Sequence, residues 1–235
     1  MEKLREILNK IDIDISDKQL KQFNDYYKLL VEWNSFMNLT SITEKDDVII
    51  KHFVDSLMVL KFIDVNGKSF IDVGTGAGFP GIPLKIMCPD SKVVLLDSLN
   101  KRVKFLNEVI GKLSLSNIQA LHFRAEDGAH DDSLREKFDF CFSRAVSNLS
   151  TLSEYCIPFV NVNGQFVSYK SSDSEDEINN SKNAIKILGG KISKVESFEL
   201  PDSDFGRSFV FIDKIDNTKN KYPRKAGMPK NNPLK

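Results

Sequence analysis

Cysteine is scarce in this chain: Cys88, Cys141 and Cys156 are odd in number, widely spaced and without a Cys-x-x-Cys pair. That pattern argues against a disulfide framework and a structural zinc site, and points to a reducing cytoplasm. Histidine is scarce too, and His52, His122 and His130 are scattered without metal-ligand spacing, so no metal is expected. Neither sign of charge dominates. With 33 basic and 33 acidic residues and a pI near 6.8, wholesale attraction to nucleic acid is not expected, and any such contact must be local. Long apolar runs are also missing. The opening Met1-Glu2-Lys3-Leu4-Arg5 mixes charge with apolar residues at helical spacing, which predicts a soluble, unexported chain with no membrane partner.

What is present suits one ordinary domain. The chain has 235 residues, of which 41% are hydrophobic, enough to bury a core without a metal or a disulfide. Leu20, Phe23, Tyr27, Leu30 and Trp33 recur at helical spacing behind Ser16-Asp17-Lys18-Gln19, a capping-box pattern. A further helix is predicted from about 44 to 62, with Val48, Phe53, Leu57 and Leu60 among its apolar positions. After Gly67 the pattern changes to β-rich runs alternating with helices, at 69–73, 92–97, 118–123, 138–143 and 165–169. Such alternation implies a parallel sheet covered on both faces. Runs 191–200 and 207–214 are separated only by Pro-Asp-Ser-Asp-Phe-Gly, too short for a crossover helix, so this pair should be antiparallel. The predicted fold class is therefore α/β: a seven-stranded, Rossmann-like, mostly parallel sheet with a C-terminal antiparallel hairpin, the usual core of class I S-adenosylmethionine methyltransferases. The predicted organisation is a helical extension over 1–66, a core over 67–216 and a basic tail over 217–235.

The segment Phe70-Ile71-Asp72-Val73-Gly74-Thr75-Gly76-Ala77-Gly78-Phe79-Pro80-Gly81-Ile82-Pro83 carries the most information. Gly74, Gly76 and Gly78 lie where a buried strand turns into a helix and would let a cofactor lie against main-chain amides. The stretch from Gly76 to Gly81 also satisfies the G-x-G-x-x-G pattern of dinucleotide enzymes, a weak match by itself. Two features favour S-adenosylmethionine over NAD. Asp72 stands beside the glycines, where it would attract an ammonium and repel a pyrophosphate. The first glycine of the dinucleotide match also starts three residues beyond Val73, late for that motif. Asp97 closes the second strand, where its carboxylate can accept from ribose hydroxyls, and Arg124-Ala125-Glu126-Asp127 follows the third. Against these readings stands a plain glycine turn with solvated strand-end acids.

Several further signatures carry a resemblance. They are Trp33 through Ile42, Lys51-His52-Phe53-Val54-Asp55-Ser56-Leu57, Asp72 through Pro83, Asp97 through Arg102, Ser143-Arg144-Ala145-Val146, and Tyr222-Pro223-Arg224-Lys225-Ala226-Gly227. Together they make the chain similar, over essentially its whole length, to the bacterial 16S ribosomal RNA methyltransferase G family, also called glucose-inhibited division protein B. The resemblance implies methylation of a guanine N7 in the small ribosomal subunit, with S-adenosyl-L-methionine as cofactor. It also implies cofactor contacts at Gly74, Phe79, Ala125, Glu126 and Arg144, with Asp97 near the ribose. Ser147 and Asn231 depart from the family's usual residues.

Transfer to N7 needs no catalytic base, so positioning is the expected task, with Arg144 orienting cofactor or guanine and a structural ion pair as the alternative. His52 and Asp55, three apart on one helical face, would line the RNA side or make a buried helix contact. The tail, read as loosely structured, carries six basic residues and no acid; Arg224, Lys225 and Lys230 are its candidate phosphate contacts. The expected partner is 16S rRNA, free, in an assembly intermediate or in the small subunit, with no required protein partner and a monomeric chain. The acids Asp173, Glu175, Asp176 and Glu177 read as a solvated helix start. The rival functions are a methyltransferase acting on a small molecule or protein, and a non-catalytic nucleotide- or RNA-binding module.

Overall fold

The structure, a computed structural model, describes residues 1–144, 147–172 and 174–235. Ala145 and Val146 of the fifth signature, and Asp173 of the acidic cluster, lie outside the described residues.

The N-terminal layer begins with α1 (Glu2–Lys10) and α2 (Asp17–Met37). Ser16 caps α2 through the predicted box: its hydroxyl accepts from the Gln19 amide, and the Gln19 side chain accepts from the Ser16 amide. The predicted 44–62 helix is present but irregular. It starts as α3 (Lys45–Val48), widens to a π-helix over Ile49–Val54, returns to α4 (Asp55–Leu57) and tightens to a 3-10 turn over Met58–Lys61. A π-helical turn shifts the phase of the side chains that follow it.

Seven strands follow: β1 (Ser69–Val73), β2 (Lys92–Asp97), β3 (Ile118–His122), β4 (Phe138–Arg144), β5 (Val160–Ser171), β6 (Gly190–Glu199) and β7 (Gly206–Lys214). The helices between and after them are α5 (Gly81–Met87), α6 (Asn100–Lys112), α7 (Ala125–Gly128), α8 (Leu149–Cys156), α9 (Glu175–Ile187) and α10 (Met228–Asn231). The sheet order is β3-β2-β1-β4-β5-β7-β6, with β1 to β5 paired in parallel and β7 antiparallel to both neighbours. The hairpin expected from its short turn therefore inserts its second strand beside β5. Strand β5 begins five residues earlier than its apolar run suggested.

One face of the sheet buries a core shared with the N-terminal layer, in which Leu8, Phe23, Tyr26 and Phe53 pack with Phe70, Ile82 and Phe105. The other face packs on α8 and α9 through Leu152, Ile157 and Ile185. Between β1 and β4 the chain order reverses, and in open α/β sheets ligands bind in the crevice that opens there, at the carboxyl ends of the strands.

The tail is a correction. Basic, proline-containing composition suggested a loose segment, but residues 218–229 are tied to the core. Arg135 donates to the carbonyls of Thr218 and Tyr222, at 2.7 and 2.9 Å, and His130 Nε2 lies 2.8 Å from the Pro223 carbonyl. Composition reports charge, but order here comes from tail carbonyls that Arg135 and His130 hold and from tail amides that the Glu136 and Glu154 carboxylates receive.

Ser16→Ala removes the α2 cap and should lower unfolding free energy by about 1 kcal/mol. Urea denaturation with an unchanged slope and a lowered midpoint is the expected result; an unchanged midpoint would show that the box adds nothing.

Candidate functional site

The glycine loop is built around Asp72. Its Oδ2 accepts from the Thr75 hydroxyl at 2.6 Å and from the Gly81 amide at 2.8 Å, which folds the loop back over the end of β1. A side chain at Gly81 would collide with Leu95 at 2.3 Å, so only glycine lets α5 start this close. Gly78 has φ +98°, and a Cβ there would meet Ile82 and Tyr26. Asp72 itself is fully buried, and its Oδ1 has no hydrogen-bond partner among the described residues. Burial pushes its carboxyl up to about 6, against the smaller opposing effect of the Thr75 and Gly81 hydrogen bonds. It stands beside the glycines at the end of β1, as the sequence suggested, but beneath the loop, with no exposed surface.

Asp97, at the end of β2, holds the loop from the other side. Its Oδ2 accepts from the Gly76 amide at 2.9 Å and from Arg102 at 3.3 Å, while Oδ1 accepts from the Leu99 amide at 2.9 Å. Asp97 lines two adjoining hollows. The first, about 450 Å³, runs along the ends of β1 to β3 and is bounded by Gly74, Ala125, Glu126, Phe123 and Tyr155. The second, about 410 Å³, lies over Gly74, Gly76, Phe79 and Thr40 and ends at Arg144.

Arg144 closes β4 and is held from three directions. Its Nη1 donates to Asp55 Oδ2 at 2.9 Å and to the Lys51 carbonyl at 3.1 Å, and its Nη2 lies 3.1 Å from His52 Nδ1. Arg207, at the start of β7, donates to the other Asp55 oxygen at 3.0 Å. Asp55 is thus a buried carboxylate bridging two arginines, which compensates its loss of water. The His52 ring stacks on Phe79, centroids 4.5 Å apart, with the Arg144 guanidinium 5.1 Å from the same ring. Burial and the Arg144 charge push His52 down to about 3, so the ring is neutral near pH 7. Its Nδ1 lies 3.1 Å both from the Arg144 guanidinium, which can only donate, and from the Lys51 carbonyl, which can only accept, and its Nε2 lies 3.0 Å from the Thr40 hydroxyl.

Beyond Arg144 a third hollow of about 650 Å³ opens between the π-helical segment and the hairpin, bounded by Lys51, Asp55, Lys170, Phe205 and Arg207. Lys170 donates to Glu177 at 2.6 Å and to the Ser147 carbonyl at 2.8 Å. The hollows share walls, Gly74 and Asp97 between the first two and His52 and Arg144 between the last two, so they form one trench along the strand ends.

Residues 19–205 match the family model for rRNA small subunit methyltransferase G (GidB). The chain belongs to the rRNA small subunit methyltransferase G family. Among curated relatives, the ribosomal RNA small subunit methyltransferase G of Lachnoclostridium phytofermentans is 50% identical over 97% of this chain and 94% of its own. That of Clostridium botulinum strain ATCC 19397 is 48% identical over 99% and 98%. Solved structures share the fold at low identity. A SAM-dependent methyltransferase from Aquifex aeolicus, 17% identical, aligns with TM-score 0.55 over 74% of this chain and 96% of its own. TYW2 from M. jannaschii in complex with AdoMet, 15% identical, aligns at 0.56 over 74% and 80%.

Of the site residues read from the sequence of this methyltransferase G family member, Gly74, Gly76, Phe79, Asp97 and Arg144 line the central hollow, and Ala125 and Glu126 the one beside it. His52 and Asp55 meet Arg144. Gly78 packs against Tyr26 and Ile82, outside the trench lining. Arg224 is a correction: its guanidinium pairs with the buried carboxylate of Glu154 at 2.8 to 3.2 Å and is not free for phosphates. Lys225 and Lys230 are exposed. Arg207, Phe205, Thr40 and Tyr155 were missed. Thr40 and Lys51 lay inside quoted signatures, but nothing in the local pattern of Arg207 or Tyr155 distinguishes them from ordinary strand and helix residues.

Two predictions follow from the buried carboxylates. Asp72 has a folded pKa above its unfolded value, so its contribution favours the folded state at low pH and is lost as pH rises from about 4 to about 6. Over that range, unfolding free energy of the native chain should fall by about 3 kcal/mol relative to Asp72→Asn, as read from urea titrations. A pH-independent difference would mean that Asp72 ionises normally. Asp55→Ala leaves Arg144 and Arg207 without their shared anion and should destabilise by about 3 kcal/mol as well as reduce activity; native thermal stability would show that the bridge does not hold the fold.

Proposed function

We propose that this chain transfers a methyl group from S-adenosyl-L-methionine to the N7 atom of a guanine in the 16S rRNA of the small ribosomal subunit. The observation that carries the reading is the shared wall at Arg144. On one side lies a glycine-loop hollow with an acid at the end of β2; on the other lies a hollow rimmed by Lys51, Lys170 and Arg207, with the exposed aromatic Phe205. These cations are paired with Asp47, Glu177 and Asp55; phosphates that replace the surface carboxylates of Lys51 and Lys170, and an aromatic face on which a base can stack, suit a nucleotide better than a small apolar substrate.

The residues of the first two hollows fit the cofactor by their chemistry. Gly76, with φ +62°, would place a Cβ no nearer than 4.0 Å to its neighbours, and without that Cβ the main chain there can be approached closely. Asp97 and Glu126 supply carboxylates where ribose hydroxyls and adenine donors are expected, and Phe79 supplies a ring beneath Arg144. When bound, S-adenosylmethionine supplies a methyl carbon on a sulfonium that departs with the S–C electron pair. Guanine N7 carries an in-plane lone pair and no proton, so the new N–C bond forms without a base.

The side chains agree with that requirement. His52 is neutral, with Nδ1 facing Arg144 and Nε2 facing Thr40, and Asp55 is saturated by two arginines, so neither is poised to remove a proton. Their work is to fix the Arg144 fork, whose planar donors can meet the acceptor edge of a guanine or stack on it. Fixing both reactants in line, in a trench from which water is displaced, supplies the rate advantage. We read 67–216 as the core that carries the cofactor, 1–66 as the layer that supplies His52 and Asp55, and 217–235 as a tail whose Lys225 and Lys230 can meet phosphates. The reading calls for a monomer acting on small subunits or their precursors in the cytoplasm. It is compatible with there being no membrane-crossing helix among the described residues.

Small subunits lacking the modification, incubated with methyl-labelled cofactor and mapped by mass spectrometry, should carry label on one guanine N7. Label on another atom, or only on a protein or small molecule, would overturn the assignment. Arg144→Ala should lower kcat/KM by about 100-fold and, because it leaves the buried Asp55 carboxylate to Arg207 alone, should also lower the thermal unfolding temperature; Arg144→Lys, which keeps a cation beside Asp55, should recover stability but not activity, because the planar fork is lost.

A further inference from the structure

The tail that composition described as a loose polycation ends against the trench. Its anchors lie on the α7 to α8 side of the sheet. Arg224 makes a forked pair with Glu154, which is 0% exposed, and its own amide donates to the same carboxylate at 2.7 Å. Thr151 donates to the Pro229 carbonyl at 3.0 Å. Between these two fastenings the chain turns at Gly227, with φ +83°, and the Gly227 amide donates to Glu126 Oε1 at 3.0 Å. Glu126 is buried, and Gly227 and Lys230 border the hollow that it shares with Ala125 and Tyr155.

We infer that this strap is a wall of the adenosine half of the cofactor site: the Gly227 amide fixes the Glu126 carboxylate for the nucleoside, so strap docking and cofactor binding are one linked equilibrium. The inference rests on the reading of this hollow as a cofactor site. Three features support it beyond simple bracing of the fold. The strap's anchors are strong and buried away from the trench, so the segment between them is held in one place. Among the described residues, the one hydrogen bond it sends into the trench goes to a carboxylate that borders the hollow. A charged acceptor left without that donor would be free to turn toward water, and a hydrogen bond to a charged group is worth about 1.5–3 kcal/mol. Linkage is reciprocal: if the docked strap strengthens binding, bound ligand must hold the strap down by the same factor.

The test uses S-adenosylhomocysteine, the demethylated cofactor, as probe. A chain ending at Ala226 keeps Arg224 and its Glu154 pair but lacks Gly227 and all that follows. Calorimetric titration should show its affinity reduced about 10-fold to 100-fold relative to the full chain, the equivalent of that hydrogen bond, with thermal unfolding of the ligand-free protein little changed. Equal affinities would overturn the inference while leaving the cofactor site intact; failure of the full chain itself to bind would instead sink the reading of the hollow. On the intact chain, saturating S-adenosylhomocysteine should slow tryptic cleavage after Lys225 and Lys230 by the same factor. Unchanged cleavage would refute the linkage, and this measurement stays decisive even if the shortened chain does not fold.

Discussion

A single buried carboxylate organises the trench. Asp55 lies on the N-terminal helical layer, yet its two oxygens are claimed by Arg144 from the end of β4 and Arg207 from the start of β7. An anion at this depth is tolerable only with both partners in place, because desolvation of an unpaired carboxylate costs several kcal/mol. The pairing therefore fixes three elements together: α4 at the end of the π-helical segment, the middle of the sheet and the reversed strand. The wall between the glycine-loop hollow and the cation-rimmed hollow exists because those three meet at Asp55.

The irregular helix makes this meeting possible. Over Ile49–Val54 the turns widen, and His52 and Asp55 both reach one guanidinium while the Lys51 carbonyl also points at it. A regular helix would satisfy its own carbonyls internally, whereas a π-helical stretch alters which groups are offered to neighbours, and such stretches are frequent at functional sites. The neutral His52 ring, stacked on Phe79 and meeting the Thr40 hydroxyl at its Nε2 edge, completes a set of contacts that leaves Arg144 little freedom. Preorganisation of this kind suits a reaction in which the protein aligns groups and no proton has to be moved.

Charge is organised locally on a chain that is neutral as a whole. Lys51, Lys170 and Arg207 stand around one hollow with their partners Asp55 and Glu177, while Asp97 and Glu126 stand around the other end of the trench with Arg124 and Lys230. The cations of the tail divide between two tasks. Arg224 is spent on Glu154, inside the fold, whereas Lys225 and Lys230 remain exposed on the same strap. A count of basic residues could not separate the two, because the difference is made by a partner seventy residues away in the chain.

The sequence by itself determined the sheet and the loop. Apolar runs broken at regular intervals specified five parallel strands, and a turn too short for a crossover specified the reversed strand. Gly74, Gly76 and Gly78 marked the bend, since backbone geometry at a strand-to-helix turn is a local property. Asp97, Ala125 and Glu126 could be placed at the trench for a similar reason, Asp97 closing β2 and the other two coming just after β3. What only the tertiary structure decided was who partners whom. Asp72 faces inward because Thr75 and Gly81 fold over it; Arg207, 152 residues from Asp55, shares its carboxylate; and the tail is ordered because Glu154, Arg135 and Glu126 receive it. Those facts depend on desolvation and on distances between remote segments, which no local spacing encodes.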